Sequence, residues 1–136
     1  MDILSIHINK TTLTITDHSI ISSQPIIVSS TPMILYIWSV PGICHPGNYE
    51  TDFPITNHFN KIILQGNHNT LFLEQPLNRD LSLDITGSNI IYIPFDTYHS
   101  LHIHNECSVI EFQDSICDEI FVSGNGENRN LIKKLK

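Results

Sequence analysis

Three histidines, His99, His102 and His104, fall within six residues of one alternating stretch and are followed by Glu106. A His-x-His pair on a strand puts both imidazoles on one face, about 7 Å apart, which suits two ligands of one divalent metal ion. Glu106 would add an oxygen ligand, and His99 would approach from beside the pair. A second chemically equipped stretch is the adjacent pair Cys44 and His45, with Asp52 and His58 in the same segment. These residue types serve a thiol nucleophile or a zinc site, but adjacency alone does not hold a base within hydrogen-bonding reach of a thiol. Trp38 precedes the segment and Tyr49 lies within it, and they complete a candidate binding set of Trp38, Cys44, His45, Tyr49, Asp52 and His58.

The His102–His104 pair with its following glutamate resembles the first metal motif of cupins, which are jelly rolls. That resemblance implies a metal-binding protein or a metal-dependent enzyme. The sequence departs from the motif in three ways. The glycine ahead of the histidines is missing, the glutamate follows too soon, and no second histidine motif appears. Strand parity also bears on it. Leu101 and Ile103 form the apolar face of the stretch, so His102 and His104 point the other way, towards solvent.

The remaining ionisable residues offer less. Asp80 and Asp84 flank a strand, and Asp114, Asp118 and Glu119 lie in a charged link; neither group forms the convergent carboxylate pair of a glycosidase. Gly124 to Glu127 lacks the lysine and the following helix of a phosphate loop. The absence of convergent machinery favours a non-catalytic chain without a cofactor.

The elements that position these residues are read from hydrophobic periodicity. Isoleucine is heavily used and serine, threonine and asparagine fill much of the remainder; hydrophobic residues make up 40% and charged residues only 15%. β-branched residues at that level favour strands. From Lys61 to Phe112 the chain repeats a unit of apolar strand, polar turn and apolar strand three times: KIILQGNHNTLFL, LSLDITGSNIIYI and SLHIHNECSVIEF. The units recur at close to 20 residues, with an asparagine before the second strand in the first two. Earlier units are visible around Leu13–Ile15 and Met33–Trp38, where Leu13 to Leu35 suggests one period and Leu35 to Leu71 two. No stretch carries a sustained 3.6-residue apolar period, and the chain reads as all-β.

Two architectures fit this period equally: a short right-handed parallel β-solenoid of about six coils, or an antiparallel β-sandwich or jelly roll in which each unit is a hairpin. A β-trefoil fits less well. One domain is expected over residues 1–123, interrupted by a Pro-rich loop at 41–60 in which regular strand is not expected, with a polar, basic tail at 124–136 ending in one helical turn.

Charge limits the partners. The net charge is −7, and four of the seven basic residues, Arg129, Lys133, Lys134 and Lys136, lie in the last eight positions. The acidic body lacks the footprint a nucleic-acid binder needs. No apolar run is long enough for a membrane helix and no secretory signal is recognised, so an intracellular location with reduced cysteines is expected. Taken together, the sequence predicts a small β module that assembles with itself or with a protein partner. A metal-dependent protein using His102 and His104 and a carbohydrate-binding module are the rival expectations.

Overall fold

A computed structural model describes residues 10–39, 46–54, 58–74 and 80–133. The chain is all-β. The described residues form twelve strands, β1 (Thr11–Ile15), β2 (Ser19–Ser22), β3 (Ile26–Ser30), β4 (Ile34–Ser39), β5 (Tyr49–Asp52), β6 (Lys61–Gln65), β7 (Asn69–Leu73), β8 (Asp80–Thr86), β9 (Ile90–Ile93), β10 (Thr97–Glu106), β11 (Val109–Ser123) and β12 (Glu127–Lys133). They hydrogen-bond into one continuous sheet that winds into a parallel β-solenoid of about three turns.

Two ladders of parallel strands form the long walls. The first runs β4–β6–β8–β10 and ends on the second half of β11, with Leu35, Ile62, Leu83, Ile103 and Val122 in register. The other runs β1–β7–β9, then the first half of β11, then β12, with Leu13, Leu71, Ile91, Ile110 and Asn128 in register. A short third side stacks Tyr98 on Cys117 and Ile116 on Ile132. Inward positions of the interior coils are apolar and fully buried, among them Ile62, Leu64, Leu83, Ile85, Leu101, Ile91 and Phe112. Each such side chain contributes about 1.5–3 kcal/mol by leaving water.

Parallel pairing decides between the architectures that the 20-residue period left open. In a sandwich, jelly roll or trefoil the two strands of a unit would pair with each other. Here β6 pairs with β8 and β7 with β9, one coil away. The turns explain the choice. Asn69, buried, donates through Nδ2 to Ser39 Oγ (3.0 Å) and to Asn89 Oδ1 (2.7 Å). Asn89 in turn donates through Nδ2 to Gly66 O (3.0 Å), and its own N–H goes to Ser108 Oγ (3.1 Å). Most polar groups at these corners are thus satisfied by the neighbouring coil, as buried amides require, while Asn69 Oδ1 is buried without a partner. Gly87 has φ +103°, and a Cβ there would stand 1.8 Å from Gly66 O. Only glycine permits that stacking of turn on turn.

The N-terminal half departs from the simple repeat. β1 stacks on β7 and β4 on β6, so together they complete one coil level although they belong to different hairpins. The spacings Leu13–Leu35 and Leu35–Leu71 are therefore coincidental: Leu13 stacks on Leu71, and Leu35 on Ile62. Antiparallel pairing of β3 with β4, β2 with β1 and β5 with β2 covers this end. Those hairpins use up sequence that would otherwise have supplied coils, so the stack has about three turns and not six. Within the segment expected to be an unstructured loop, Tyr49–Asp52 forms strand β5, and Phe53 and Phe59 bury themselves edge to face with ring centroids 4.9 Å apart. The helical turn expected near the C-terminus is instead strand, since Glu127–Lys133 continues the second ladder.

Candidate interaction surface

The two ends of the solenoid differ. At the N-terminal end Leu35 and Leu13 are fully buried under the hairpins. At the other end, among the described residues, nothing pairs with the free side of β11 beyond Cys117 or with the free side of β12. The first-ladder column shows the effect directly: Leu35, Ile62, Leu83, Ile103 and Val122 are 0%, 0%, 1%, 2% and 52% exposed. Val122 points into the solenoid like its predecessors, but among the described residues no coil lies beneath it. Ile120 beside it is partly buried, and Phe121 and Ile132 on the same coil are half exposed.

The outward wall above this end carries the histidines. His102 stacks on Phe121 with ring centroids 4.6 Å apart and planes 15° from parallel. His104 is held at both ring nitrogens, by Ser123 Oγ at Nδ1 (2.8 Å) and by Glu106 Oε1 at Nε2 (3.3 Å). His102, His104, Phe121 and Ser123, with Lys61 and Asp84, line an open groove of about 240 Å³. His99 lies apart, its Nδ1 2.9 Å from Asp80 Oδ1, an oxygen that also accepts from Ser100 Oγ (2.8 Å). The hydrogen bond to Asp80 holds the His99 imidazole above the usual histidine range by favouring its protonated form.

The fold thus places His102 and His104 outward, as parity requires, with Glu106 on the same wall. It does not make them converge: His99 turns to Asp80, His102 to Phe121 and His104 to Ser123 and Glu106. Among the described residues no group of three or more His, Cys, Asp or Glu side chains is arranged to hold a metal ion.

The loop-based candidates are dispersed. Cys44 and His45 lie outside the described residues. Trp38 is exposed on the outer face of β4, Tyr49 and Asp52 lie on the fully exposed strand β5, and His58 is exposed with its N–H bonded to Pro32 O (2.8 Å). A second groove, of about 320 Å³, lies along the corner turns, with His68, Ser88 and Cys107 above Ile90 and Val109. Cys107 is exposed, and its N–H donates to Asn125 Oδ1 (3.0 Å). Cys117 is enclosed, and burial pushes its thiol up.

Sequence reasoning passed over Phe121 and Val122. The signal was available, since Glu119–Ser123 follows the Leu101-containing strand at the coil spacing. It needed the parallel ladder to acquire meaning. No protein-family model, curated protein or solved structure matches this chain. No helix of the described residues is long and apolar enough to cross a membrane.

Proposed function

We propose that this chain is a non-catalytic β-solenoid module that works by protein association, and that its open end coil is the associating surface. The observation that carries the reading is the change in exposure between Ile103 and Val122, neighbours in one apolar column. A free edge of parallel strands presents unpaired N–H and C=O groups beside apolar side chains, a combination that proteins normally cover or block with charge, proline or a bulge. At the opposite end the ladder strands β4 and β1 are covered by the antiparallel strands β3 and β2. Leaving one end uncovered while covering the other is consistent with a surface kept for a partner. The scattered engagement of the histidines supports a binding role over metal-dependent catalysis.

Hydrogen exchange tests the reading. At high dilution the amides on the free side of residues 119–123 should exchange much faster than their counterparts in residues 100–104, and a Val122→Asp chain should keep the wild-type far-ultraviolet dichroism. Slow exchange at every dilution, together with unfolding of Val122→Asp, would mean that the end is sealed by the chain itself and would remove the reading.

A further inference from the structure

We infer that the partner seated on the open end is a second copy of this chain, docked end to end about a two-fold axis. The inference deepens the proposed reading and rests on it. Three observations identify the occupant.

The first is the inequality of the ends. A head-to-tail contact would set the open coil against the hairpin-covered end, where the column residues Leu35 and Leu13 are already buried. The large apolar residues exposed there are Ile27, Ile34 and Trp38 on the flank, Met33 in the turn between β3 and β4, and Tyr49 on β5. Ile34 is in register with outward Lys61, and Ile27 pairs with Trp38 on that outer side. The outermost strand there, β3, turns inward Ile26 and Val28, which are already partly buried, whereas Val122 is 52% exposed. Like ends set the most exposed column residues against each other, and a contact between like ends is isologous and closes at two copies.

The second observation is the register. An antiparallel pairing of the end strand with its copy, centred on Phe121, sets Ile120 of one copy opposite Val122 of the other, twice. Both residues project inward, as their pairing with Leu101 and Ile103 shows. Each half-covered apolar residue thereby gains an apolar neighbour, and the free backbone edge gains a ladder. Phe121 meets its own copy on the outer face and extends the ring stack begun by His102. Glu119 falls opposite Ser123, so the register brings no like charges face to face.

The third is charge. Residues 117–133 carry two basic and three acidic residues, whereas the preceding 116 carry three basic and eleven acidic. The end coil is near neutral in a chain of net charge −7. Two copies meeting there avoid the repulsion between acidic bodies that contact through other faces would bring.

Light scattering over a dilution series, with hydrogen exchange on the same samples, tests the pairing. The expected result is a mass of twice 15.5 kDa that falls to one chain on dilution, with the free-side amides of 119–123 slowed only in the dimer. Phe121→Asp and Val122→Asp should each raise the dissociation constant by about tenfold or more. Phe121→Asp changes an outward residue and guards against loss of folding in the other variant. Ile27→Asp, at the opposite end, should leave the dimer unchanged. Masses that grow beyond two copies, or a dimer broken by Ile27→Asp and not by the end-coil variants, would overturn the pairing. A single-chain mass throughout with fast 119–123 exchange would overturn the second-copy occupant while leaving the end open for another protein. A single-chain mass with slow exchange would overturn both this inference and the reading beneath it.

Discussion

Asn89 accepts both the backbone N–H and the side-chain Nδ2 of Asn69 on one oxygen, at 3.1 and 2.7 Å, from the coil next door. The pair is buried and sits at the corner where two walls meet. It joins consecutive turns through side chains where the strands cannot reach, and fixes the axial register of the stack.

Removing that oxygen leaves the buried Asn69 N–H without its partner and the Asn69 side-chain amide with Ser39 alone. Asn89→Ala should therefore cost about 2–4 kcal/mol, seen as a lower denaturant midpoint. Asn67→Ala, which removes the bond from the exposed Ser88 N–H to Asn67 Oδ1, should cost about 1 kcal/mol or less. Equal effects at the two positions would show that the corner bonds carry no special burden.

Gly87→Ala tests the close approach of the turns. The added Cβ would overlap Gly66 O, and the residue's φ of +103° disfavours any side chain. A loss of more than about 2 kcal/mol is expected. Thermal unfolding of this variant beside wild type checks it, and an unchanged melting temperature would contradict the stacked-turn geometry.

Within one column, cost should follow depth. Leu83→Ala removes a fully buried side chain in the middle of the stack and should cost about 2–5 kcal/mol. Val122→Ala, in the same column but half exposed, should cost about 1 kcal/mol or less in samples dilute enough to hold single chains. Chemical denaturation under those conditions compares the two directly.

The His99–Asp80 contact gives a signed pH effect. The folded imidazole titrates above its usual value of 6.5 because Asp80 accepts its hydrogen bond. Whatever the contact contributes to stability is fully present below the unfolded histidine pKa and is lost as pH rises through the higher folded pKa. Following the ring protons of His99 by NMR, Asp80→Asn should bring the midpoint down. An unmoved midpoint would show that the contact is not formed in solution.

The two described cysteines should differ in reactivity. Cys107 is exposed in a turn, whereas Cys117 is enclosed with its pKa raised by burial. Thiol alkylation followed by peptide mass analysis should label Cys107 in the native chain and Cys117 only on unfolding.

How far the sequence reveals this molecule depends on which contacts are local in the repeat. The alternation around Leu83, Ile91 and Ile103 identifies inward positions, because period-two patterning maps directly onto the faces of a strand. The recurring asparagine at 69 and 89 marks a ladder, since the turn places equivalent residues one coil apart. Parity at Leu101 and Ile103 correctly turns His102 and His104 outward. What is not legible is pairing direction, because Gly and Asn serve hairpin and solenoid corners alike. The capping hairpins are hidden for a different reason: β5 reads YETD, with no apolar residue but Tyr49, and exists because β2 offers it a backbone edge. The open coil is hidden too, since Val122 looks like any other inward valine until its missing neighbour is seen.

The uppermost coil is made of β1 and β4, which rest on β7 and β6 and not on each other's successors. This has a consequence for synthesis on the ribosome. The first described strand to emerge, β1, has its hairpin partner β2 at once but no wall to rest on until Asn69–Leu73 has been made. At about 5–20 residues per second that wait lasts about 3–12 seconds. The interior coils, each resting on the one made just before it, need no such delay. The segment synthesised early is thus a lid that closes late, and the newborn chain carries the apolar faces of Leu13 and Ile15 uncovered until the scaffold beneath them exists.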